Sequence, residues 1–227
     1  MKIGVLLSGA GVYDGSEIQE AVLAMLAIKE SGHEYVCISV DKNQHHVVNH
    51  ITGDEMDEER NMLVESARIA RGEILKIENV SPADIDAVVT PGGFGAAKSF
   101  SNWAFQGPEG DILPEIKLFL VNMVNVGKPI CALCVSPVVI AKALEGSSIK
   151  PFLTLGSSQE KSPYDIPGFH AGIESVGAVT AEKGIAEINI DRENLIVSAP
   201  CYMFDTDILS VRNNIKKAIE ATIELCV

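Results

Sequence analysis

The stretch GKPICALCVSP, residues 127–137, decides the fold. Residues 130–133 form an apolar run with the length of a buried strand, and residues 135–144 have the apolar content of a helix. Pro137 falls in the first turn of that helix, where proline is tolerated because its missing N–H would have had no partner. The chain is therefore predicted to turn sharply at Cys134, between a strand and a helix.

The alternation of strand and helix continues on both sides of this stretch. Apolar runs predict strands, and apolar residues at helical spacing predict helices. The predicted strands are 2–8, 35–40, 85–90, 152–155, 188–190 and 195–198, and the predicted helices are 16–30, 57–71, 113–126 and 209–225. This order predicts an α/β fold with a mostly parallel sheet, helices on both faces and a ligand crevice at the carboxyl ends of the strands.

Length and composition limit the possible functions. The chain has 227 residues, 47% of them apolar, so residues 1–227 are predicted to form a single domain with one large core. Asp and Glu total 31 against 18 Lys and Arg, giving a net charge of −13, so we expect no nucleic-acid or membrane partner. No apolar run reaches the roughly 20 residues of a spanning helix, and the first is too short for a signal peptide.

The cysteines predict a location. They are odd in number and lie mostly in apolar surroundings, which is typical of buried thiols in a reducing compartment. We therefore expect a cytosolic protein. The five are Cys37, Cys131, Cys134, Cys201 and Cys226.

Three predicted turns, at residues 8–11, 91–95 and 133–135, lie at carboxyl ends of strands and should open into one crevice. Glycines in the first two let the backbone approach a ligand and direct N–H groups at a developing negative charge. The helix that follows Cys134 should lower the pKa of its thiol, as a nucleophilic sulfur requires. The alternative is a buried cysteine that packs as a small hydrophobe.

Cys131 and Cys134 also form a Cys-x-x-Cys pair, a spacing that redox-active dithiols use. Cys131 falls inside the predicted strand, so its side chain should point away from the crevice or be buried, which disfavours a dithiol. No second Cys or His pair has metal-ligand spacing, and the glycines at 9–15 fit no nucleotide fingerprint. We therefore expect no metal and no cofactor.

Several segments together resemble the ElbB or sigma cross-reacting protein family. The similarity covers nearly the whole chain and is densest over residues 1–137. The segments are SGAGVYDGSEIQEAV at 8–22, VNHITG at 48–53, ARGEI at 70–74, PGGFGAAK at 91–98, GKPICALCVSP at 127–137 and APCYM at 199–203. The resemblance implies the class I glutamine-amidotransferase-like, PfpI-type superfamily, a flavodoxin-like three-layer αβα sandwich with a nucleophile elbow.

The resemblance also implies a site. It places the elbow nucleophile at Cys134, the acidic residue at Glu17, and the N–H groups that hold an oxyanion at Gly93 and Val135. Glu17 has a plainer interpretation as a carboxylate at a helix N-terminus. Further candidates for the pocket are four residues in the matching segments, of which the histidine could instead cap a loop and the lysine could be solvated: Gly11, His50, Gly92 and Lys98.

A missing histidine separates this chain from amidotransferases and PfpI proteases. Val135 follows the cysteine, and no His-x-Glu stands near residues 199–200. Amide hydrolysis needs an acid for the leaving amine and a base for the thiol, so glutaminase and protease activities are disfavoured unless a partner chain supplies a histidine.

The family resemblance implies another activity, a weak glutathione-independent glyoxalase (a glyoxalase III-like lyase). Its substrate would be a small 2-oxoaldehyde, glyoxal or methylglyoxal, converted to the 2-hydroxy acid through an adduct on Cys134, with proton transfer by Glu17. An indirect link to isoprenoid metabolism and a homodimer are implied in the same way. The alternative is a non-enzymatic protein that senses oxidation at Cys134 or binds a ligand.

Overall fold

The computed structural model describes residues 1–226. It contains eleven strands among these residues, numbered in chain order. They are β1 (Lys2–Leu7), β2 (Glu34–Ser39), β3 (Val47–Val48), β4 (Glu55–Met56), β5 (Ile74–Lys76), β6 (Ala87–Thr90), β7 (Ile130–Leu133), β8 (Phe152–Leu153), β9 (Val179–Thr180), β10 (Asn189–Asp191) and β11 (Ile196–Ala199).

Seven α-helices alternate with these strands in the same part of the chain. They are α1 (Ile18–Glu30), α2 (Met62–Ile69), α3 (Trp103–Gln106), α4 (Pro114–Asn125), α5 (Pro137–Leu144), α6 (Ile166–Ser175) and α7 (Ile208–Glu224). A short π-helix, Ala96–Phe100, precedes α3. Within residues 1–226, no helix combines the length and the apolar character that crossing a bilayer requires.

The central sheet confirms the predicted α/β architecture. Its seven strands run in the order β10-β11-β7-β6-β1-β2-β5, and only β10 pairs antiparallel. The strands β6, β7 and β11 are completely buried, as expected for parallel strands covered on both faces. Helices α1 and α7 pack together on one side and α4 and α5 on the other, which gives three layers. The carboxyl ends of β1, β6, β7 and β11 therefore meet at one edge.

The face of α1 that packs against the core is not the face that carries several of its largest apolar residues. Ile18, Val22 and Leu26 are 44–46% exposed, whereas small residues such as Ala21 and Ala24 are completely buried. Alanine lets the helix approach α7 and the sheet closely, so the buried face is the one that packs best. The buried face also carries one acidic residue, Glu20.

Candidate active site

Cys134 occupies a sharp turn between β7 and α5, as predicted. Its backbone has φ +58°, a left-handed conformation that is uncommon outside glycine and is often found where function requires it. Its N–H donates to the carbonyl of Ala199 at 2.8 Å, which fixes the turn against β11. Ser136 adds a second tie, because its Oγ donates to the carbonyl of Thr90 at 2.9 Å. The elbow is thus attached to the strands on both sides.

A small cavity lies in front of the thiol. Two of the three predicted turns, 91–95 and 133–135, line it, whereas the first, 8–11, does not, and only the next residue, Val12, reaches it. The space that a water-sized molecule can enter is about 20 Å³, which is enough for little more than one such molecule. Cys134 is 7% exposed. The lining is mainly apolar and aromatic: Val12, Glu17, Gly93, Phe94, Cys134, Val135, Tyr164, Phe169, Tyr202 and Met203.

The carboxyl group that contacts the Cys134 thiol belongs to Glu20. This side chain is completely buried and lies beside the thiol, since a Cβ built on Gly92 would be 2.8 Å from both the sulfur and Oε2 of Glu20. Its Oε2 accepts from the N–H of Gly92 at 2.8 Å and its Oε1 from the N–H of Tyr202 at 3.2 Å. Burial, with a contribution from the charge of Glu17, raises the pKa of Glu20 to about 8. At neutral pH most molecules therefore carry a protonated Glu20, and only the ionised fraction can accept a proton from the sulfur.

The thiol is also harder to ionise than the sequence suggested. Burial, followed by the charge of Glu20, raises the pKa of Cys134 well above its usual value. The N–H groups of Gly93 and Val135 face the sulfur and act in the opposite direction, but burial outweighs them. The prediction that the following helix lowers the pKa of Cys134 is therefore wrong. The sulfur needs Glu20 as its proton acceptor.

Glu17 is the N-cap of α1, and its position differs from the expected pairing with the thiol. Its Oε2 accepts from the N–H of Glu20 at 2.6 Å, so the plainer interpretation of this residue describes its main contact. Its side chain nevertheless lines the cavity, and burial raises its pKa. Glu17 therefore lies in the candidate site while a different carboxyl group holds the sulfur.

Gly92 and Gly93 are required by close approach. A Cβ on Gly92 would overlap the Cys134 side chain and stand 2.8 Å from both the sulfur and Oε2 of Glu20. Gly93 has φ +91°, and a Cβ there would overlap the backbone of residues 15–17. Gly92 thus lies against the Cys134 thiol and the Glu20 carboxyl, while Gly93 lines the cavity.

Gly11, His50 and Lys98 support the glycine-rich loop, and none of them is among the lining residues of the described cavity. The Nε2 of His50 accepts from the N–H of Tyr13 at 3.2 Å, and a Cβ on Gly11 would collide with the His50 ring. Lys98 Nζ donates to the carbonyl of Tyr13 at 2.8 Å and lies 2.9 Å from Nε2 of His46. The loop-capping interpretation of His50 fits these contacts. Lys98 is half-buried rather than fully solvated.

Cys131 points away from the cavity, as predicted. Its thiol is completely buried and contacts Thr222 of α7, and burial raises its pKa to about 12. Cys131 and Cys134 are both free thiols. Consecutive strand residues alternate between the two faces of a sheet, and the elbow turns Cys134 away from its strand. The spacing Cys-x-x-Cys therefore does not form a dithiol site here.

Sequence reasoning missed Glu20 and the aromatic residues Phe94, Tyr164 and Phe169. A signal for Glu20 was present, because it lies four residues before Ala24 on the buried face of α1. An acidic residue on such a face indicates a buried carboxyl with a special partner. Phe94 lies in the predicted turn at 91–95, whereas Tyr164 and Phe169 come from the region of α6, which was not predicted, and their spacing carries no comparable signal.

The sheet order and the cysteine elbow define a protein of the class I glutamine-amidotransferase-like, ThiJ/PfpI type. A scan against models of protein families gives no match. Two relatives cover 99% of this chain: "Glutamine amidotransferase-like class 1 domain-containing protein 3, mitochondrial" of Homo sapiens, 37% identical with 83% of its length aligned, and "ES1 protein homolog, mitochondrial" of Rattus norvegicus, 36% identical with 84% aligned. The chain therefore belongs to the ElbB family, which includes the ES1 proteins.

Solved structures agree with this placement. An isoprenoid biosynthesis protein with amidotransferase-like domain from Ehrlichia chaffeensis is 35% identical, with a TM-score of 0.88 and 99% of each chain covered. Glyoxalase III from Candida albicans, at 15% identity, a TM-score of 0.58 and 97% of each chain, shares the fold.

The expected cytosolic location is contradicted by the relatives, which are named as mitochondrial proteins. Unpaired buried thiols indicate a reducing compartment, and a cell has more than one of these. The cysteines therefore could not distinguish the cytosol from another reducing compartment.

Proposed function

We propose that this protein is a glutathione-independent glyoxalase that converts a small 2-oxoaldehyde, such as glyoxal or methylglyoxal, to the 2-hydroxy acid. The observation that supports the proposal most directly is the position of the buried Glu20 carboxyl beside the Cys134 thiol, which lines a small cavity. A thiol with an adjacent proton acceptor can add to an aldehyde, and a 2-oxoaldehyde has no amine to expel.

The first step joins the sulfur to the aldehyde. In molecules in which Glu20 is ionised, its carboxylate accepts the thiol proton as the sulfur bonds to C1, and the aldehyde oxygen becomes an oxyanion. The N–H groups of Gly93 and Val135, which face the sulfur in the free protein, lie where they can donate to this oxygen. Protonation of the oxygen gives a hemithioacetal on Cys134.

The second step moves hydrogen from C1 to C2. Glu17, on the cavity wall, removes the C1 proton and returns it to C2, while the proton of the C1 hydroxyl passes to the former ketone oxygen, which leaves a 2-hydroxy thioester on Cys134. Burial raises the pKa of Glu17, which suits a group that must accept and release a proton. One water molecule then hydrolyses the thioester, releasing the 2-hydroxy acid and the thiol. The sequence of steps needs no external oxidant or reductant.

The lining of the cavity supports a substrate without an amide. Among the residues that line it in the described chain there is no histidine. His170, which lies nearby in sequence to Phe169, has its Nε2 occupied by the N–H of Leu155 at 3.2 Å. Proton transfer to a leaving amine therefore has no imidazole, which disfavours amide hydrolysis. An oxidation sensor needs an exposed thiol, and Cys134 is 7% exposed, which disfavours this alternative.

The deciding experiment measures 2-hydroxy acid formed from methylglyoxal by wild type and by Cys134→Ala. Wild type should produce lactate at a rate that Cys134→Ala reduces to the background of the buffer. Cys226→Ala is the matched control, because this cysteine lies at the end of α7 and contacts the carbonyl groups of Asp86 and Thr222. Equal production by wild type and Cys134→Ala would reject the proposed activity.

A further inference from the structure

We propose that Tyr164 is a catalytic residue whose hydroxyl donates to the ketone oxygen of the bound 2-oxoaldehyde and stabilises the charge that develops there. This role rests on the proposed glyoxalase activity. Tyr164 lines the cavity together with Cys134, and its hydroxyl has no hydrogen-bond partner among residues 1–226. The other tyrosine of the lining, Tyr202, has a committed hydroxyl that donates to Gln19.

The ring of Tyr164 is held in place although its hydroxyl is free. The backbone N–H of Tyr164 donates to Oγ of Ser162 at 3.0 Å, and α6 begins two residues later. The ring packs edge to face on Phe94, with centroids 5.9 Å apart and planes at 71°. A fixed ring with an unpaired hydroxyl in a small cavity is a preorganised donor, which suits stabilisation of a developing charge.

The electrostatics of the cavity keep this hydroxyl protonated. Burial, followed by the charges of Cys134, Glu20 and Tyr13, raises the pKa of Tyr164 to about 12. The hydroxyl therefore remains a donor throughout the neutral range, and any anion that forms beside it gains from its proton.

The chemistry of the second step identifies the oxygen that needs such a donor. When the C1 proton leaves, the electron pair moves through the C1–C2 bond and the negative charge appears on the ketone oxygen. The N–H groups of Gly93 and Val135 are occupied by the oxygen derived from the aldehyde. A second donor, separate from these amides, is required for the ketone oxygen, and Tyr164 is the free one on the wall.

The test compares wild type, Tyr164→Phe, Tyr35→Phe and Cys134→Ala in one assay of lactate formation from methylglyoxal. Tyr164→Phe keeps the ring and its contact with Phe94, and removes only the hydroxyl. A hydrogen bond to a charged group contributes about 1.5–3 kcal/mol, so kcat should fall about 10-fold to 150-fold with little change in KM. Tyr35 is exposed on β2, which lies three positions from β7 in the central sheet. Tyr35→Phe should therefore match wild type.

Isotopic substitution gives a readout that a purely structural role would not change. With deuterium at C1 of methylglyoxal, the isotope effect on kcat should be larger in Tyr164→Phe than in wild type, because proton removal becomes slower relative to the other steps. An active wild type with an equally active Tyr164→Phe would overturn the role of this tyrosine alone. A wild type no better than Cys134→Ala would overturn the proposed activity and the tyrosine role with it.

Discussion

Glu17 and Glu20 lie three residues apart at the start of α1, yet their environments differ completely. Glu17 precedes the helix, caps it and lies on the cavity wall. Glu20 lies one turn further on, faces the core, and is buried with its carboxyl against the Cys134 thiol. A shift of three residues along a helix start therefore separates a group that can reach a substrate from one that can only reach the sulfur.

The difference assigns the two carboxyl groups separate tasks. A proton acceptor for the thiol must stay beside the sulfur whether or not substrate is present, and the two backbone donors to Glu20 hold it there. A group that transfers protons on the substrate must border the cavity, as Glu17 does. Each task can be measured separately, so experiments can show whether the two carboxyl groups have different roles.

The largest expected effect separates the two tasks directly. Glu20→Gln and Glu17→Gln should each lower 2-hydroxy acid production by about 10²- to 10⁴-fold, the range typical for loss of a general acid or base. Only Glu20→Gln should also change the rate of Cys134 alkylation by iodoacetamide at pH 8, measured by mass spectrometry. The rate should rise, because the substitution removes a charge that raises the pKa of the thiol. Glu224→Gln, on the exposed end of α7, is the matched control. Equal alkylation rates in Glu20→Gln and Glu17→Gln would remove the division of roles.

The next effect concerns the dependence of folding on pH. The pKa of Glu20 rises from 4.5 to about 8 on folding, so between these values the folded chain holds a proton that the unfolded chain has released. The free energy of unfolding contributed by this group is fully present below pH 4.5 and is lost as the pH rises through about 8, by an amount on the order of a few kcal/mol.

Denaturant unfolding of wild type and Glu20→Gln at pH 5 and pH 8 measures this contribution. Wild type should lose more stability than Glu20→Gln between the two pH values, since glutamine does not titrate. Glu17→Gln, which removes a less buried carboxyl, should resemble wild type more closely. The same loss in wild type and Glu20→Gln would show that Glu20 titrates normally.

A smaller effect is expected in the reactivity of the thiol. The pair of Cys134 and Glu20 should lose its first proton near pH 8, because that is the value to which burial raises the pKa of Glu20. The singly deprotonated pair is the form that can place charge on the sulfur, so the rate of Cys134 alkylation should rise about tenfold between pH 7 and pH 9. A rate that is flat over this range, with Cys226→Ala used to remove competing label, would contradict the assignment.

Much of the fold followed from the sequence for a definite reason. Buried parallel strands are continuous apolar runs, and the strands of the sheet core, such as β6 and β7, stand out as such. The hairpin of β3 and β4 was missed because each strand has only two residues. Helix α6 was missed because Pro167, Gly168 and Gly172 interrupt its pattern.

The site was predictable to the extent that local structure determines it. Cys134 followed from the strand-to-helix turn, and the lining by Gly93 and Val135 followed from the family resemblance. The sequence could not show which carboxyl group lies beside the thiol, because Glu17 and Glu20 both follow the predicted turn at 8–11 closely. What distinguishes them is the rotation of α1 about its axis, which is set by packing against α7 and the sheet.

The smallest effect concerns the structural role of Glu17 as the N-cap of α1, which is independent of its proposed role in proton transfer. As the N-cap, its Oε2 satisfies the N–H of Glu20, and removal of such an acceptor costs about 1 kcal/mol of stability. Glu17→Ala should show this loss in thermal and denaturant unfolding, whereas Glu17→Gln, whose amide oxygen can still accept, should retain most of the stability. Asp207→Ala, at the N-cap of α7, provides a matched loss of a cap far from the first turn of α1.

If Glu17→Ala and Glu17→Gln lose activity equally but differ in stability, capping and proton transfer are separate functions of one side chain. If activity follows stability across the two variants, Glu17 acts only by holding the first turn of α1, and with it Glu20, in place. The second result would transfer all of the proton chemistry to Glu20, because the cap would then be the sole contribution of Glu17 to the site.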